Sequence, residues 1–290
     1  MCVALLSGPV SAMVLIAVPI GLSLVALSGR LWPAVAGAAV LGLAVGWPGG
    51  VGLAPAERGW ALLAGAWLVV LTGVAPGWPV FRRALVAVAA TFAAAAVLLA
   101  LTGGWPGLAT ALERPLERDI AGAMQFLREG GGEIAARQAA DAAMLRFAEG
   151  WRLVFPALLG LATLAALALA ALLHEHDRGR RVGPLREFRF DGSLVWVLIA
   201  GLSAMALPLG MAAWRIGANV AAFMAGLYAV RGAAVIVTLW AGAAPVVWVA
   251  GVVVGLLLYP LALPATVVIG LGDTWLDLRA RLRAARAKEE

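Results

Sequence analysis

The chain has 290 residues, of which 63% are hydrophobic and 13% charged, against about 25% charged in an ordinary soluble domain. A mean hydropathy of +0.95 excludes a typical soluble globular fold, and a single cysteine, Cys2, excludes an intrachain disulfide or a thiolate metal cluster. The net charge of +6 does not point to nucleic acid, because the excess arginine sits in loops and a tail, as the positive-inside rule expects.

Eight apolar runs follow one another, near residues 3–28, 32–47, 60–78, 84–102, 152–173, 193–213, 217–240 and 245–271. Each is read as a helix, since lipid admits only helices or closed barrels, and the runs are too long for barrel strands. The first run has no basic flank, because the first charge is Arg30, so it is not read as a cleaved leader. Nine of the twelve tryptophans, among them Trp32, Trp60, Trp78, Trp214 and Trp240, lie at or near run ends, as an interfacial aromatic belt would place them. Trp67, Trp196 and Trp248 lie deeper.

Residues 103–150 break the pattern with seven acids and five arginines. Leu112, Leu116, Ile120, Met124 and Leu127 recur at helical spacing. A second helix is expected from Glu133 to Glu149, after three glycines. The pair is read as a helical hairpin outside the membrane core.

Charge bias places Arg30, Arg82, Arg83 and the loop 174–192 on one side. The basic tail, Arg279 to Lys288, belongs on that side too. Yet three runs separate loop and tail, and three crossings is an odd number. Either 245–271, interrupted by Pro260 and Pro264, dips in and returns, or Arg231-Gly232 marks a turn between two short spans, or the charge rule fails in one loop.

Polar chemistry is sparse. From Gly192 to Gly272 the only charges are Arg215 and Arg231. A charge at mid-bilayer costs from about 2.5 to more than 10 kcal/mol, so Arg231 requires compensation. Tyr228, three residues away, can share its face. Asn219, twelve residues away, falls about 120° around the helix. Arg231, Tyr228, Asn219 and Trp196 are the candidates for a polar cavity. Alternatively, Arg231 bonds carbonyls between helices.

His174-Glu175-His176-Asp177 reads as a solvated membrane edge, because i, i+2 imidazoles do not share a helical face. Asp273 and Asp277 are one turn apart and could share a cation. They are read instead as opening the tail helix and pairing with Arg281 and its neighbours. No nucleophile elbow, zinc-protease motif or phosphate loop occurs, so no enzyme, metal or cofactor is expected. Ala34, Ala38, Gly42 and Gly46, and Gly251 with Gly255, form small-residue stripes that would allow close helix approach.

Pro184-Leu185-Arg186-Glu187-Phe188-Arg189-Phe190-Asp191, Leu194-Val195-Trp196, Asn219, Leu227-Tyr228, Arg231-Gly232, Leu271-Gly272-Asp273 and Asp277-Leu278-Arg279 occur in an order and spacing that resemble the YybS-like family of bacterial multi-pass membrane proteins. The resemblance covers about residues 184–279. It implies a distant similarity to the substrate-binding subunits of energy-coupling-factor transporters, hence a small-solute binding bundle served by a separate ATPase.

The expectation is therefore an all-α, polytopic transmembrane bundle of about eight helices with an extramembrane helical hairpin. Its parts are 1–102, the hairpin 103–150, the C-terminal helices 151–272 and the tail 273–290. The lipid bilayer is its surroundings, the bacterial inner membrane its location, and the cytoplasm the side of its C-terminus. Its expected role is a small-solute binding or transport component, with a transporter ATPase module or another membrane protein as partner. The alternative is a membrane scaffold or regulatory partner whose cytoplasmic surface includes Arg186, Phe188, Arg189, Asp191, Asp277 and Arg279.

Overall fold

The computed structural model describes residues 12–27, 31–46, 54–104, 125, 134–177, 188–240 and 244–281. Among them there is no strand, and the fold is all-α. The chain forms two compact units, Met1–Arg181 and Val182–Glu290.

The first unit contains α1 (Ala12–Leu27), α2 (Leu31–Gly46), α3 (Ala54–Val74), α4 (Val80–Thr102) and α5 (Ile134–Asp177). Alanine and leucine dominate these segments and favour helix. α1 and α2 approach closely where Gly21 faces Gly37; a Cβ on Gly37 would lie 2.7 Å from the Gly21 carbonyl oxygen. The expected stripe is not that contact. Gly42 has open space around it, and Ala38 is exposed. Trp60 on α3 donates to Thr163 on α5 at 2.9 Å and meets Phe92 on α4 edge-on at 4.7 Å.

The second arm of the expected hairpin is continuous with the fifth apolar run. Both belong to α5, one helix of 44 residues that passes through Pro156. The first arm lies outside the described residues apart from Gln125, which is helical.

The second unit contains α6 (Val195–Ala206), α7 (Met211–Leu239), α8 (Pro245–Leu257) and α9 (Tyr259–Leu276). The apolar run 193–213 ends as a helix at Ala206, because Pro208 cannot supply a backbone donor and drives Leu207 to an extended conformation (φ −84, ψ 146). Gly210, at φ 93, makes the turn into α7. α7 then runs unbroken through Arg231-Gly232, so the turn considered there does not exist. The last run breaks instead at Leu258, ahead of Pro260, and its two halves are bent by 112°.

α6 lies antiparallel along the first half of α7. Gly201 rests on Gly217, Val220 and Ala221, while Gly217 rests on Gly201, Ala204 and Met205. α9 lies antiparallel along the second half: Gly270 sits against the Tyr228 carbonyl and Gly232, and Gly232 against the Thr266 carbonyl. The end of α9 thus comes to the start of α6, where a Cβ on Gly192 would lie 3.7 Å from the Thr274 methyl. Gly251 packs against the Trp240 ring, but Gly255 touches nothing.

Among the described residues three helices are long and apolar enough to cross a membrane, Val80–Thr102, Ala148–His176 and Met211–Leu239. A fourth span is possible in composition if α8 and α9 count together.

Candidate functional site: a buried arginine–aspartate cluster

The α7 face formed by Gly217, Met224, Tyr228, Arg231, Val235 and Thr238 is buried, at the i, i+3, i+4 spacing of one helical side. This brings Arg231 and Tyr228 inward together, as their spacing predicted. Arg231 is 5% exposed.

Its partner is Asp273, at the end of α9 and 1% exposed. Arg231 Nε donates to Asp273 Oδ2 at 2.9 Å, and Nη2 donates to the Asp273 carbonyl at 3.2 Å. The carbonyl contact between helices was one expected fate of this arginine; the carboxylate was not foreseen. Arg279 closes the other side. Its Nη2 donates to Asp273 Oδ2 at 2.7 Å, and its Nη1 to the Phe188 carbonyl at 2.7 Å.

One carboxylate therefore serves two guanidinium groups. Asp273 does pair with one of the arginines neighbouring Arg281, namely Arg279, but it does so in a buried position and with Arg231 as a second partner, where a shared cation was the other expectation. Asp277 points elsewhere and accepts from Arg189 at 2.6 Å in an exposed pair. Among the described residues no group of three or more His, Cys, Asp or Glu could hold a metal.

Two donors complete the site. Arg231 Nη1 is buried and finds no hydrogen-bond partner among the described residues. The Tyr228 hydroxyl is buried without a hydrogen bond of normal geometry, and Thr274 is the side chain facing it. Phe190 lies against both residues, its ring 5.2 Å from the Arg231 guanidinium carbon and 5.2 Å from the Tyr228 ring. The ring face offers the cation a weak electrostatic partner.

The other candidates separate. Asn219 is half-buried and donates to the Arg215 carbonyl one turn earlier, at 2.9 Å. Trp196 is 69% exposed on α6. Phe188 meets Arg279 and Arg189 meets Asp277, but Arg279 is 1% exposed and is therefore not the surface residue expected of it. Asp191 accepts from the Ser193 backbone N–H at 3.0 Å and starts the turn into α6. Arg186 lies outside the described residues.

The first unit holds a second polar contact that sequence reasoning missed. Arg83 Nη2 donates to Glu175 Oε1 at 2.5 Å, and both side chains are buried. His174 is also buried. This corrects the reading of His174-Glu175 as a solvated edge. The signal was the inward face of α4, where Arg83 shares helical spacing with Ala87 and Thr91.

A family sequence pattern described as a predicted membrane protein family, DUF2232, matches residues 1–274. No curated protein and no solved structure matches the chain. The matched stretch takes in the first unit, the second as far as residue 274, and both residues of the Arg231–Asp273 contact. The chain belongs to the DUF2232 family of predicted membrane proteins.

Proposed function

We propose that this membrane protein is a small-solute binding or transport component whose second unit holds an anionic group on Arg231. The observation that carries the reading is a buried cationic donor with an open hydrogen-bonding position. Arg231 and Arg279 both bind the carboxylate of Asp273, and among the described residues Arg231 Nη1 has no hydrogen-bond partner. A buried guanidinium donor left unmade is costly, and an anion removes that cost. A small carboxylate or phosphate supplies the acceptor in a charge-assisted hydrogen bond.

The YybS-like resemblance of residues 184–279 supports the same role, as does its distant similarity to transporter substrate-binding subunits. On this reading an ATPase module drives the protein from the cytoplasmic side of a bacterial inner membrane. The tail after Asp277 is cytoplasmic. No catalytic step and no cofactor form part of the role.

Native mass spectrometry of the full chain purified in mild detergent tests it. Wild-type protein carries a small anion that Arg231→Gln lacks, with both variants inserted in the membrane. A wild-type chain without any such adduct, or an adduct equally retained by Arg231→Gln, overturns the reading.

A second reading has its own observation. Phe188–Asp191 and Asp277–Arg279, far apart in sequence, meet through the Arg279–Phe188 and Arg189–Asp277 contacts and leave Arg189 and Asp277 exposed. A scaffold or regulatory protein would use that exposed pair to hold a partner. Affinity capture with wild type and Arg189→Glu distinguishes the two, since a scaffold loses its partner in the variant and a solute binder keeps its anion.

A further inference from the structure

The start of α6 and the end of α9 meet beside the middle of α7, not at either end of it. Phe190 touches Tyr228, Gly270 touches Tyr228 and Gly232, and Gly192 approaches Thr274. α7 has 29 residues, a length of about 43 Å. Trp214 and Trp240 stand near its two ends, where an interfacial belt belongs. The 18 residues of α9 and the 12 of α6 together cover that length. They form a composite broken span of two half-helices drawn from distant parts of the chain.

Charges cluster at the break. Arg231, Asp273 and Arg279 lie on the buried side. Arg189 and Asp277 lie on the open side, with side chains 45% and 51% exposed. Two such charges are not stable against hydrocarbon. Non-helical backbone at membrane depth is tolerated only where protein buries it or water reaches it. Broken helices of this kind place polar groups and helix ends at the bilayer midplane.

We infer that the α9–α6 junction is a water-filled vestibule at mid-depth of the membrane, open to one face only, and that it is the route by which a small anion reaches Arg231. The open face is the one that carries the tail, because α9 enters from the α7 end at Trp240 and the basic segments cannot cross lipid. α6 then crosses to the Leu207–Gly210 linker, α7 returns, and α9 enters and stops half-way. The crossings between loop and tail become even. This deepens the proposed binding role by naming the route to its site. Thiol labelling reads access alone, so a failure of access and a failure of anion binding are separate results.

The test uses the full chain in oriented membrane vesicles, with Cys2→Ser as background and single cysteines elsewhere. Ser193→Cys lies at the junction and is exposed. Val268→Cys lies on α9 about 9 Å before Thr274, 67% exposed and off the side on which Thr266 and Gly270 meet α7. Leu209→Cys marks the linker and Arg283→Cys the tail. A membrane-impermeant thiol reagent labels Ser193→Cys from the Arg283→Cys side and Leu209→Cys from the other. Val268→Cys loses that reaction and is labelled only by a lipid-soluble maleimide. Equal impermeant labelling of Ser193→Cys and Val268→Cys would put the junction at the membrane surface and overturn the inference. So would a Ser193→Cys that only the lipid-soluble reagent reaches, or one labelled from the Leu209→Cys side.

Discussion

Arg231 Nε and Asp273 Oδ2 lie 2.9 Å apart, although the residues are 42 positions apart in the chain. The contact joins α7 to the end of α9 and lets Arg279 bind the same carboxylate. Removing Asp273 takes away the carboxylate that both buried guanidinium groups bind. Asp273→Asn is expected to cost about 3–5 kcal/mol, the usual penalty for one buried ion left unpaired. Arg231→Gln leaves Asp273 paired with Arg279 and costs less. A double-mutant cycle of the two, read by thermal unfolding in detergent, gives a coupling of about 0.5–3 kcal/mol. Strict additivity would show that the two side chains do not interact.

The α7–α9 contact itself depends on two glycines. A Cβ on Gly232 would run into the Thr266 carbonyl, and one on Gly270 into the Tyr228 carbonyl. Both obstacles are backbone, which cannot rotate aside. Gly232→Ala and Gly270→Ala each push the helices apart, at about 1–3 kcal/mol or more. Gly255→Ala is the control, because nothing lies within 4 Å of its Cβ position. Its expected effect is within about 0.5 kcal/mol. Unfolding midpoints of the three variants check the contrast, and an undisturbed Gly232→Ala would show that the helices do not approach at this point.

The helical character was legible because apolar runs of this length admit few other folds. The breaks were partly legible. Pro208 and Pro260 each sit just past a helix end, at Ala206 and Leu257, and a proline restricts the residue before it. The run boundaries still shifted, since hydropathy does not distinguish a helix from an apolar linker. Tyr228 and Arg231 were found together because three-residue spacing on one helix is local information. The Asp273–Arg279 pair was legible because the two residues are near in the chain, whereas Arg231 as the second partner is set by where α9 docks on α7, which local spacing does not show. Trp196 was placed in the cavity by its depth in a run, but depth says nothing about which side of a helix faces lipid. The stripe at Gly251 and Gly255 failed for a similar reason: small residues permit close approach without selecting a partner.

Two ion pairs of similar length provide a comparison between burial and exposure. Arg83–Glu175 is 2.5 Å long with side chains 3% and 8% exposed. Arg189–Asp277 is 2.6 Å long, and both side chains are about half exposed. Water screens the second pair and competes for its hydrogen bonds, so Arg189→Ala is expected to change stability by about 0–1 kcal/mol. In the first, Glu175→Gln leaves Arg83 buried beside a neutral amide, and Arg83 Nε already has no hydrogen-bond partner among the described residues. That change is expected to cost about 3–5 kcal/mol. Salt separates the pairs further, because a screened surface pair weakens as ionic strength rises and a buried one does not. Thermal unfolding of both variants at low and high salt measures this. If Glu175→Gln were as mild as Arg189→Ala, water would have to reach the Arg83–Glu175 contact, and the inward face of α4 would have to open near Arg83.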